Sequence, residues 1–170
     1  MDDIVKAALK KWPNVPHCYG WLALDARGDW YMRDERVQAA GPFPAVKGSR
    51  ITHEKLREFI ERNYACDDAG AWFFQNGPQR VYLQLEAAPW VWRLQADGSI
   101  VSHTGRAAVF ASAWLDEQGR LFLNTDIGLG IVHSLDMETA ADAVEAGRWV
   151  PQTCRLAELP ERFGFILAPT

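Results

Sequence analysis

The sequence predicts an α+β fold: a mainly antiparallel, twisted sheet made of two degenerate hairpin repeats, with a few helices packed on it. Two observations lead to this prediction. Short segments of alternating apolar and polar residues are separated by a glycine turn that recurs four times. Only a few other stretches show the 3.6-residue periodicity of an amphipathic helix.

The recurring turn has one plan, in which a polar run ends in Gly, one residue follows, and an apolar strand begins. Gly supplies the positive φ of a tight turn, and the polar residues before it hold the turn through side-chain hydrogen bonds. The four turns are Asp25–Trp30, Asp67–Trp72, Gln95–Ile100 and Asp116–Leu121. We therefore expect strands joined as antiparallel hairpins.

The turns and their flanking strands align in order, which indicates an internal repeat. The aligned pairs are Leu24–Trp30 with Leu94–Ile100, Gly70–Gln75 with Gly119–Asn124 and, after one inserted residue, Val81–Glu86 with Ile131–Asp136. We predict one compact domain over residues 1–170, with two copies of the repeat unit at about residues 20–92 and 93–138.

Three segments have helical periodicity. Residues 2–12 form an amphipathic stretch that ends before Pro13, and Thr52 is a suitable N-cap for a helix reaching Tyr64. A third helix is predicted over Glu138–Ala146, with Gly147 as its C-terminal stop. We expect the N-terminal helix and the C-terminal tail, residues 139–170, to pack on the repeat units.

Composition, charge and cysteine spacing indicate the class of protein, its partners and its cellular compartment. The 48% apolar and 24% charged residues are typical of a globular protein, and the net charge of −4 disfavours nucleic acid and anionic membranes as partners. No apolar run is long enough to span a bilayer, and the acidic start does not resemble a signal peptide. The cysteines Cys18, Cys66 and Cys154 have no disulfide or zinc spacing, so we expect a cytoplasmic protein.

Motifs for catalysis or for metal and cofactor binding are missing from the sequence. His53-Glu54 begins like a zinc-protease helix, but Arg57 stands where the second His is required. Gly128-Leu129-Gly130 lacks the third Gly of a dinucleotide loop and enters a predicted strand. We therefore predict no catalytic residue, no metal and no cofactor.

A basic segment before the predicted central helix is the one candidate binding site. The stretch Arg33–Arg50 is predicted to be a long loop. It ends in Lys47, Ser49 and Arg50, directly before the helix start at Thr52. Free N–H groups at a helix N-terminus attract anions, and Arg can bind a carboxylate or phosphate through two hydrogen bonds. We predict a small anionic ligand at Lys47, Ser49 and Arg50, with Arg33 closing the site.

Several of these segments resemble an uncharacterised group of proteobacterial proteins catalogued as domains of unknown function and built from repeated α+β motifs. The resemblance rests on Asp25–Trp30, on Gly48–Ile51 before the helix, and on Leu85–Trp90, within roughly residues 20–138. It implies a bacterial protein, and signal transduction is the role suggested for such proteins. It implies no catalytic residue, because none is established in that group.

The sequence thus predicts a non-enzymatic binding or regulatory module that recognises a small anionic ligand or a protein partner. Two alternatives stay open. One is an enzyme whose site is assembled in three dimensions around His133 or His103 with a carboxylate such as Asp126. The other is the subunit of a structural homodimer, which an exposed patch would favour. The tryptophans that would form such a patch are Trp12, Trp90 or Trp92.

Overall fold

The computed structural model describes residues 1–170, and the chain divides into two compact units. The first contains Met1–Asp25, Asp29–Glu86 and Phe165–Thr170, and the second contains Ala26–Gly28 and Ala87–Gly164. Each unit holds one mixed, mostly antiparallel sheet, of six and seven strands respectively, and the chain has five α-helices. The predicted α+β class is confirmed, with one sheet for each repeat in place of a single sheet.

The first unit contains three helices and six strands. Its helices are Asp3–Lys11 (α1), Glu35–Ala40 (α2) and Glu54–Arg62 (α3). Its strands are Cys18–Leu24 (β1), Trp30–Met32 (β2), Ser49–Arg50 (β3), Tyr64–Cys66 (β4), Trp72–Asn76 (β5) and Gln79–Leu85 (β6). They lie in the order β3-β2-β1-β6-β5-β4, and all neighbours are antiparallel except β1 and β6.

The second unit contains seven strands and two helices. Its strands are Trp90–Leu94 (β7), Ile100–Ser102 (β8), Ala107–Ala108 (β9), Phe110–Leu115 (β10), Leu121–Thr125 (β11), Gly128–Val132 (β12) and Gln152–Thr153 (β13). Its helices are Met137–Glu145 (α4) and Leu159–Phe163 (α5). The order β13-β10-β11-β12-β7-β8-β9 repeats that of the first sheet, with β7 parallel to β12, and adds β13 at one edge.

The registers of the two sheets define which residues correspond. Val81 pairs with Phe74 in the first sheet, and Gly130 pairs with Leu123 in the second, so both counterparts lie 49 positions later. The same separation relates the other paired residues of β4–β6 to those of β10–β12. The one-residue insertion in the sequence alignment is therefore wrong. Val81 corresponds to Gly130 and not to Ile131.

All four predicted glycine turns are present between consecutive antiparallel strands. Their glycines, Gly28, Gly70, Gly98 and Gly119, have φ angles between 75° and 87°. Asp25 Oδ1 accepts a hydrogen bond from the Asp29 N–H at 3.0 Å, and Asp116 Oδ1 accepts one from the Arg120 N–H at 2.8 Å. The turns form locally because glycine and a neighbouring carboxylate supply what they require.

Two details of the predicted helices are wrong. Helix α3 begins after His53, whose Nδ1 accepts a hydrogen bond from the Leu56 N–H at 3.3 Å, so His53 is the N-cap and not Thr52. Helix α2 lies inside the segment predicted as a loop, where the Asp34 carboxylate caps the Val37 N–H at 3.0 Å. Helices α1 and α4 lie within one residue of their predicted bounds.

Trp92 fills the centre of the second unit. Its side chain is fully buried, and its indole N–H donates to the Leu123 carbonyl at 3.0 Å. The ring lies directly on Gly130, because a Cβ added to that residue would collide with Trp92 Nε1 and Cε2. Glycine is therefore required at position 130 by the close approach of the indole ring.

A double-mutant cycle tests this packing. We expect Gly130→Ala to lower the free energy of unfolding by about 2 kcal/mol through overpacking, and Trp92→Leu by about 3 kcal/mol through lost burial. The double variant should lose at least about 1 kcal/mol less than the sum, because the smaller leucine leaves room for the new methyl group. Urea unfolding measures all four proteins, and strict additivity would contradict the direct contact.

The stability of the first unit should depend on Glu61 of helix α3. Burial raises the pKa of Glu61 to about 7, with Arg57 opposing the shift and Glu58 adding to it. The unfolded chain loses this proton near the usual pKa of about 4.3, so ionised Glu61 destabilises the fold increasingly as the pH rises to about 7. We expect Glu61→Gln to raise the melting temperature at pH 8 and to change it little at pH 4.

The exposed Glu145→Gln on helix α4 is the control, and it should change the melting temperature little. An equal effect of Glu61→Gln at both pH values would contradict the raised pKa.

Candidate functional site

A half-open cavity of about 230 Å³ lies between helix α3 and the sheet of the first unit. Leu56 and Ile60 line it from the helix. The remaining lining residues are Cys18, Trp21, Leu22, Met32, Ile51, Phe74, Asn76 and Val81. An engineered apolar cavity of about 150 Å³ is enough to bind benzene, so this one can hold a group somewhat larger than a single aromatic ring.

A β-bulge shapes the mouth of the cavity. Tyr19 pairs with Tyr82 while Leu22 pairs with the next residue, Leu83, so two extra residues of β1 lie between these pairs. One of them is Trp21, which lines the cavity and is 37% exposed. Bulges of this kind redirect side chains near binding sites.

The cavity wall is almost entirely apolar. Only Asn76 and Cys18 bring a polar side chain to it, and burial raises the pKa of the Cys18 thiol, which keeps it neutral. Met32 and Leu56 are 44% and 37% exposed at its lining. A charged ligand would lose hydration here without gaining a partner, whereas an uncharged apolar group would be stabilised by burial.

A charged cluster occupies a different part of the first unit. Lys47 Nζ lies 3.1 Å from Asp25 Oδ2 and 3.5 Å from Glu86 Oε1, and the Tyr31 hydroxyl donates to Asp25 at 3.1 Å. Burial alone would lower the pKa of Lys47, but the hydrogen bond and charge of Asp25, helped by Glu86, raise it above its usual value. Lys47 is thus a charged partner of two carboxylates.

Two of the predicted anion-binding residues lie beside carboxylates. Lys47 faces Asp25, and Arg50 Nε lies 3.9 Å from Asp29 Oδ1. Ser49 and Arg50 are consecutive residues of β3, so their side chains point to opposite faces of the sheet.

Arg33, the fourth predicted residue, is buried and holds the segment that follows it. Its guanidinium donates to the carbonyls of Gly41 at 2.7 Å and Val46 at 3.1 Å, and to Gln84 Oε1 at 2.9 Å. Only 1% of the residue is exposed. Arg33 therefore anchors the Arg33–Arg50 segment to the sheet.

The residues of the alternative enzyme site are engaged with the backbone. Nδ1 of His133 accepts from the Leu135 N–H at 3.0 Å, and Nδ1 of His103 accepts from the Val91 N–H at 3.1 Å. Asp126, named as the partner carboxylate, accepts from the Val109 N–H at 2.7 Å. These contacts stabilise the local backbone structure.

Metal binding, membrane insertion and exposed tryptophans are the remaining features relevant to function. No three His, Cys, Asp or Glu side chains are grouped so that they could hold a metal ion. None of the helices has the length and apolarity that a membrane span requires. Trp90 and Trp92 are buried, whereas Trp12 is 51% exposed.

Sequence reasoning missed the cavity, although a signal for it exists. Leu22 corresponds to Trp92 and Val81 to Gly130, so one copy combines a large residue with the smallest one while the other combines two residues of medium size. Because the sequence alignment contained an inserted residue, it matched Val81 with Ile131. The exchange of Val81 for Gly130 between the two copies was therefore not visible. The exposed Trp21 after Gly20 is a second signal.

Comparison with known proteins gives a family and a fold but no activity. The profile of a family described as protein of unknown function (DUF2946) matches residues 1–170. The structure is similar to that of a DUF1285 family protein from Silicibacter pomeroyi DSS-3, with 12% identity, a TM-score of 0.52 and 84% of each chain covered. A DUF1285 family protein from Shewanella baltica OS155 matches at 15% identity and a TM-score of 0.48, over 72% of this chain and 91% of that one. No curated protein sequence matches the chain.

The charged cluster should contribute to stability. We expect Asp25→Asn to lower the free energy of unfolding by about 2 kcal/mol, because Lys47 and Tyr31 lose a buried carboxylate partner. Asp3→Asn is the control, since its fully exposed carboxylate lies 4.0 Å from Lys6 and should contribute almost nothing. Chemical denaturation at pH 7 measures both, and equal effects would contradict a structural role for Asp25.

Proposed function

We propose that this protein, which belongs to the family described as proteins of unknown function (DUF2946), is a non-enzymatic binding or regulatory module. Its ligand site is the apolar cavity of the first unit. The observation that carries the proposal is a cavity of about 230 Å³ that is open to solvent and lined by apolar side chains from a helix and a sheet. Such concave apolar sites are the usual location of small-ligand binding.

Exposure of apolar side chains around the cavity supports a binding role. Trp21, Met32 and Leu56 keep between 37% and 44% of their surface in water, although each lines the cavity. Neighbouring exposed apolar residues of this kind are typical of ligand and partner sites in folded proteins. A bound apolar group would remove part of this surface from water and so stabilise the folded unit.

The charges of the first unit favour this cavity over the predicted anion site. Three carboxylates, those of Asp25, Asp29 and Glu86, surround the cations of Lys47 and Arg50. An incoming anion would be repelled by these carboxylates and would have to displace existing ion pairs. We therefore propose an uncharged apolar ligand in place of an anionic one.

Methionine-methyl NMR offers a direct test, because the chain has three methionines in three different settings. Met32 lines the cavity, Met137 lines a separate apolar pocket of the second unit, and Met1 is the first residue. Titration with toluene or cyclohexanol should shift the Met32 signal in a saturable way and leave the signal of Met1, the reference, in place. Absence of any Met32 response at saturation of the aqueous phase would contradict the proposal.

A matched pair of variants supplies the control. Leu56→Glu places a charge in the cavity wall and should weaken the Met32 response at least about ten-fold. Val150→Glu makes the same kind of change at an exposed apolar residue of the second unit and should leave the response unchanged. Equal binding by both variants would place the ligand outside the cavity.

A further inference from the structure

We infer that the open edge of strand β4 binds an extended, basic segment of a partner protein as an additional strand parallel to β4. The second unit shows how such a strand is held, because the corresponding edge there is covered by the chain's own strand β13. None of the residues at the β4 edge lines the cavity proposed as the ligand site, so this inference does not rest on the proposed function.

The two edges correspond residue by residue. Strand β4 pairs with β5 as β10 pairs with β11, and the equivalent paired residues lie 49 positions apart. Cys66 of β4 therefore corresponds to Leu115 of β10. Both strands continue into a glycine turn that begins with two acidic residues, Asp67-Asp68 in the first unit and Asp116-Glu117 in the second.

The peptide groups of Cys66 point away from the sheet. On one side of this residue, the Gln75 N–H donates to the Asn63 carbonyl at 2.8 Å. On the other side, the Asp67 N–H donates to the Ala71 carbonyl at 3.0 Å. Bonded and non-bonded pairs alternate along an antiparallel ladder, so the N–H and C=O of Cys66 lie on the outer side of β4. Cys66 is exposed, β4 is the last strand of its sheet, and no backbone hydrogen bond reaches these two groups.

In the second unit, the equivalent edge holds a strand. Strand β13 pairs in parallel with the end of β10. The N–H of Cys154, the next residue after β13, donates to the Leu115 carbonyl at 2.9 Å. Two residues later, the Leu156 N–H donates to Glu117 Oε2 at 2.9 Å. One carbonyl and one carboxylate, two positions apart, thus hold an extended segment at this edge.

The first unit has both acceptors and no strand bound to them. The carbonyl of Cys66 is the counterpart of that of Leu115, and the carboxylate of Asp68 is the counterpart of that of Glu117. Both Cys66 and Asp68 are exposed. Strand β4 also lacks the Lys or Pro that commonly protects an edge strand from pairing. An extended segment can therefore donate one N–H to Cys66 and a second, two residues later, to Asp68.

The turn at the end of β4 differs in charge from its counterpart. In the second unit, Arg120 Nε lies 2.9 Å from Asp116 Oδ2 and balances that carboxylate. Ala71 takes the place of Arg120 in the first unit, and Asp67 Oδ2 accepts instead from the Tyr82 hydroxyl at 3.0 Å. The first unit therefore lacks the arginine that neutralises this turn in the second.

The charge at the β4 edge favours a basic partner. Burial tends to raise the pKa of Asp67, but hydrogen bonds and the charge of Arg80 lower it overall, so the carboxylate is ionised at neutral pH. Asp68 is exposed beside it, and neither carboxylate takes part in a salt bridge. A lysine or arginine of the bound segment would gain charge-assisted contacts next to this turn.

Amide NMR of the full chain with a synthetic peptide tests the inference. The peptide has the sequence of residues 150–157 with Cys154→Ser and blocked termini, because this segment covers the equivalent edge of the second unit and carries one cation. It should shift the amide signals of Cys66 and Asp68 in a saturable way at up to about 2 mM. It should also slow hydrogen exchange of the Cys66 N–H at least about ten-fold. Shifts confined to the second unit, or no shifts at about 2 mM, would overturn the inference.

Two altered peptides separate strand pairing from charge. N-methylation of residue 154 removes the N–H that would reach the Cys66 carbonyl, and it should weaken binding at least about ten-fold. Arg155→Glu in the peptide should weaken binding about five-fold or more, because it places an anion beside the acidic turn. Unchanged binding of the N-methyl peptide would exclude strand addition. Unchanged binding of the Arg155→Glu peptide would overturn the preference for a basic segment.

A matched pair of protein variants tests the acidic turn. Asp68→Asn should weaken binding of the parent peptide about three-fold or more, since an amide oxygen is a weaker acceptor and carries no charge. Asp3→Asn changes another exposed aspartate of the first unit and should leave the affinity unchanged. Equal affinities of the two variants would contradict a contact with Asp68.

Hydrogen exchange and light scattering of the protein alone decide whether a second copy takes the edge instead. We expect the Cys66 amide to exchange at least about ten-fold faster than the Leu115 amide, whose strand is paired with β13. A dimer in which the Cys66 amide is already protected would assign the edge to a second copy and overturn the inference. The Met32 methyl signal should not move in the peptide titrations, so failure at this edge leaves the proposed apolar site unaffected.

Discussion

Parallel pairing between the first and sixth strands of each repeat is the constraint on which the rest of the structure depends. In both units this pair lies at the centre of the sheet, β1 beside β6 and β7 beside β12. The hairpins on either side extend the sheet outward by antiparallel pairing alone. Because parallel neighbours cannot be joined by a tight turn, the segment between them in sequence is long and forms outer strands on both sides of the pair.

The central pairing also determines what can fill each sheet face. It pairs Trp92 with Val132, two residues after Gly130, in the second unit, and Leu22 with Leu83, two residues after Val81, in the first. In the second unit the indole of Trp92 lies on Gly130, whereas in the first unit Leu22 and Val81 line a cavity. One repeated frame thus has a buried indole in one copy and an apolar cavity in the other.

Two cations of the first unit, Arg33 and Lys47, make contacts that stabilise the fold. Arg33 ties the segment after β2 to the sheet, and Lys47 neutralises Asp25 beneath the first hairpin turn. The sequence analysis placed both residues in an anion site, because cations near the start of a helix can bind an anion when no carboxylate lies close by. The carboxylates come from positions distant in sequence, so their proximity to Lys47 is visible only in the folded chain.

The sequence by itself determined the elements whose causes are local: the four glycine turns, the alternating strands, helices α1 and α4, and the existence of a repeat. Glycine conformation, side-chain capping and periodicity act over a few residues, and they can be read without the fold. Only the tertiary structure decided that Val81 corresponds to Gly130 and that Leu22, Phe74 and Val81 surround a cavity. Strand register and the volume left between side chains arise from pairing of distant segments, and no local pattern encodes them.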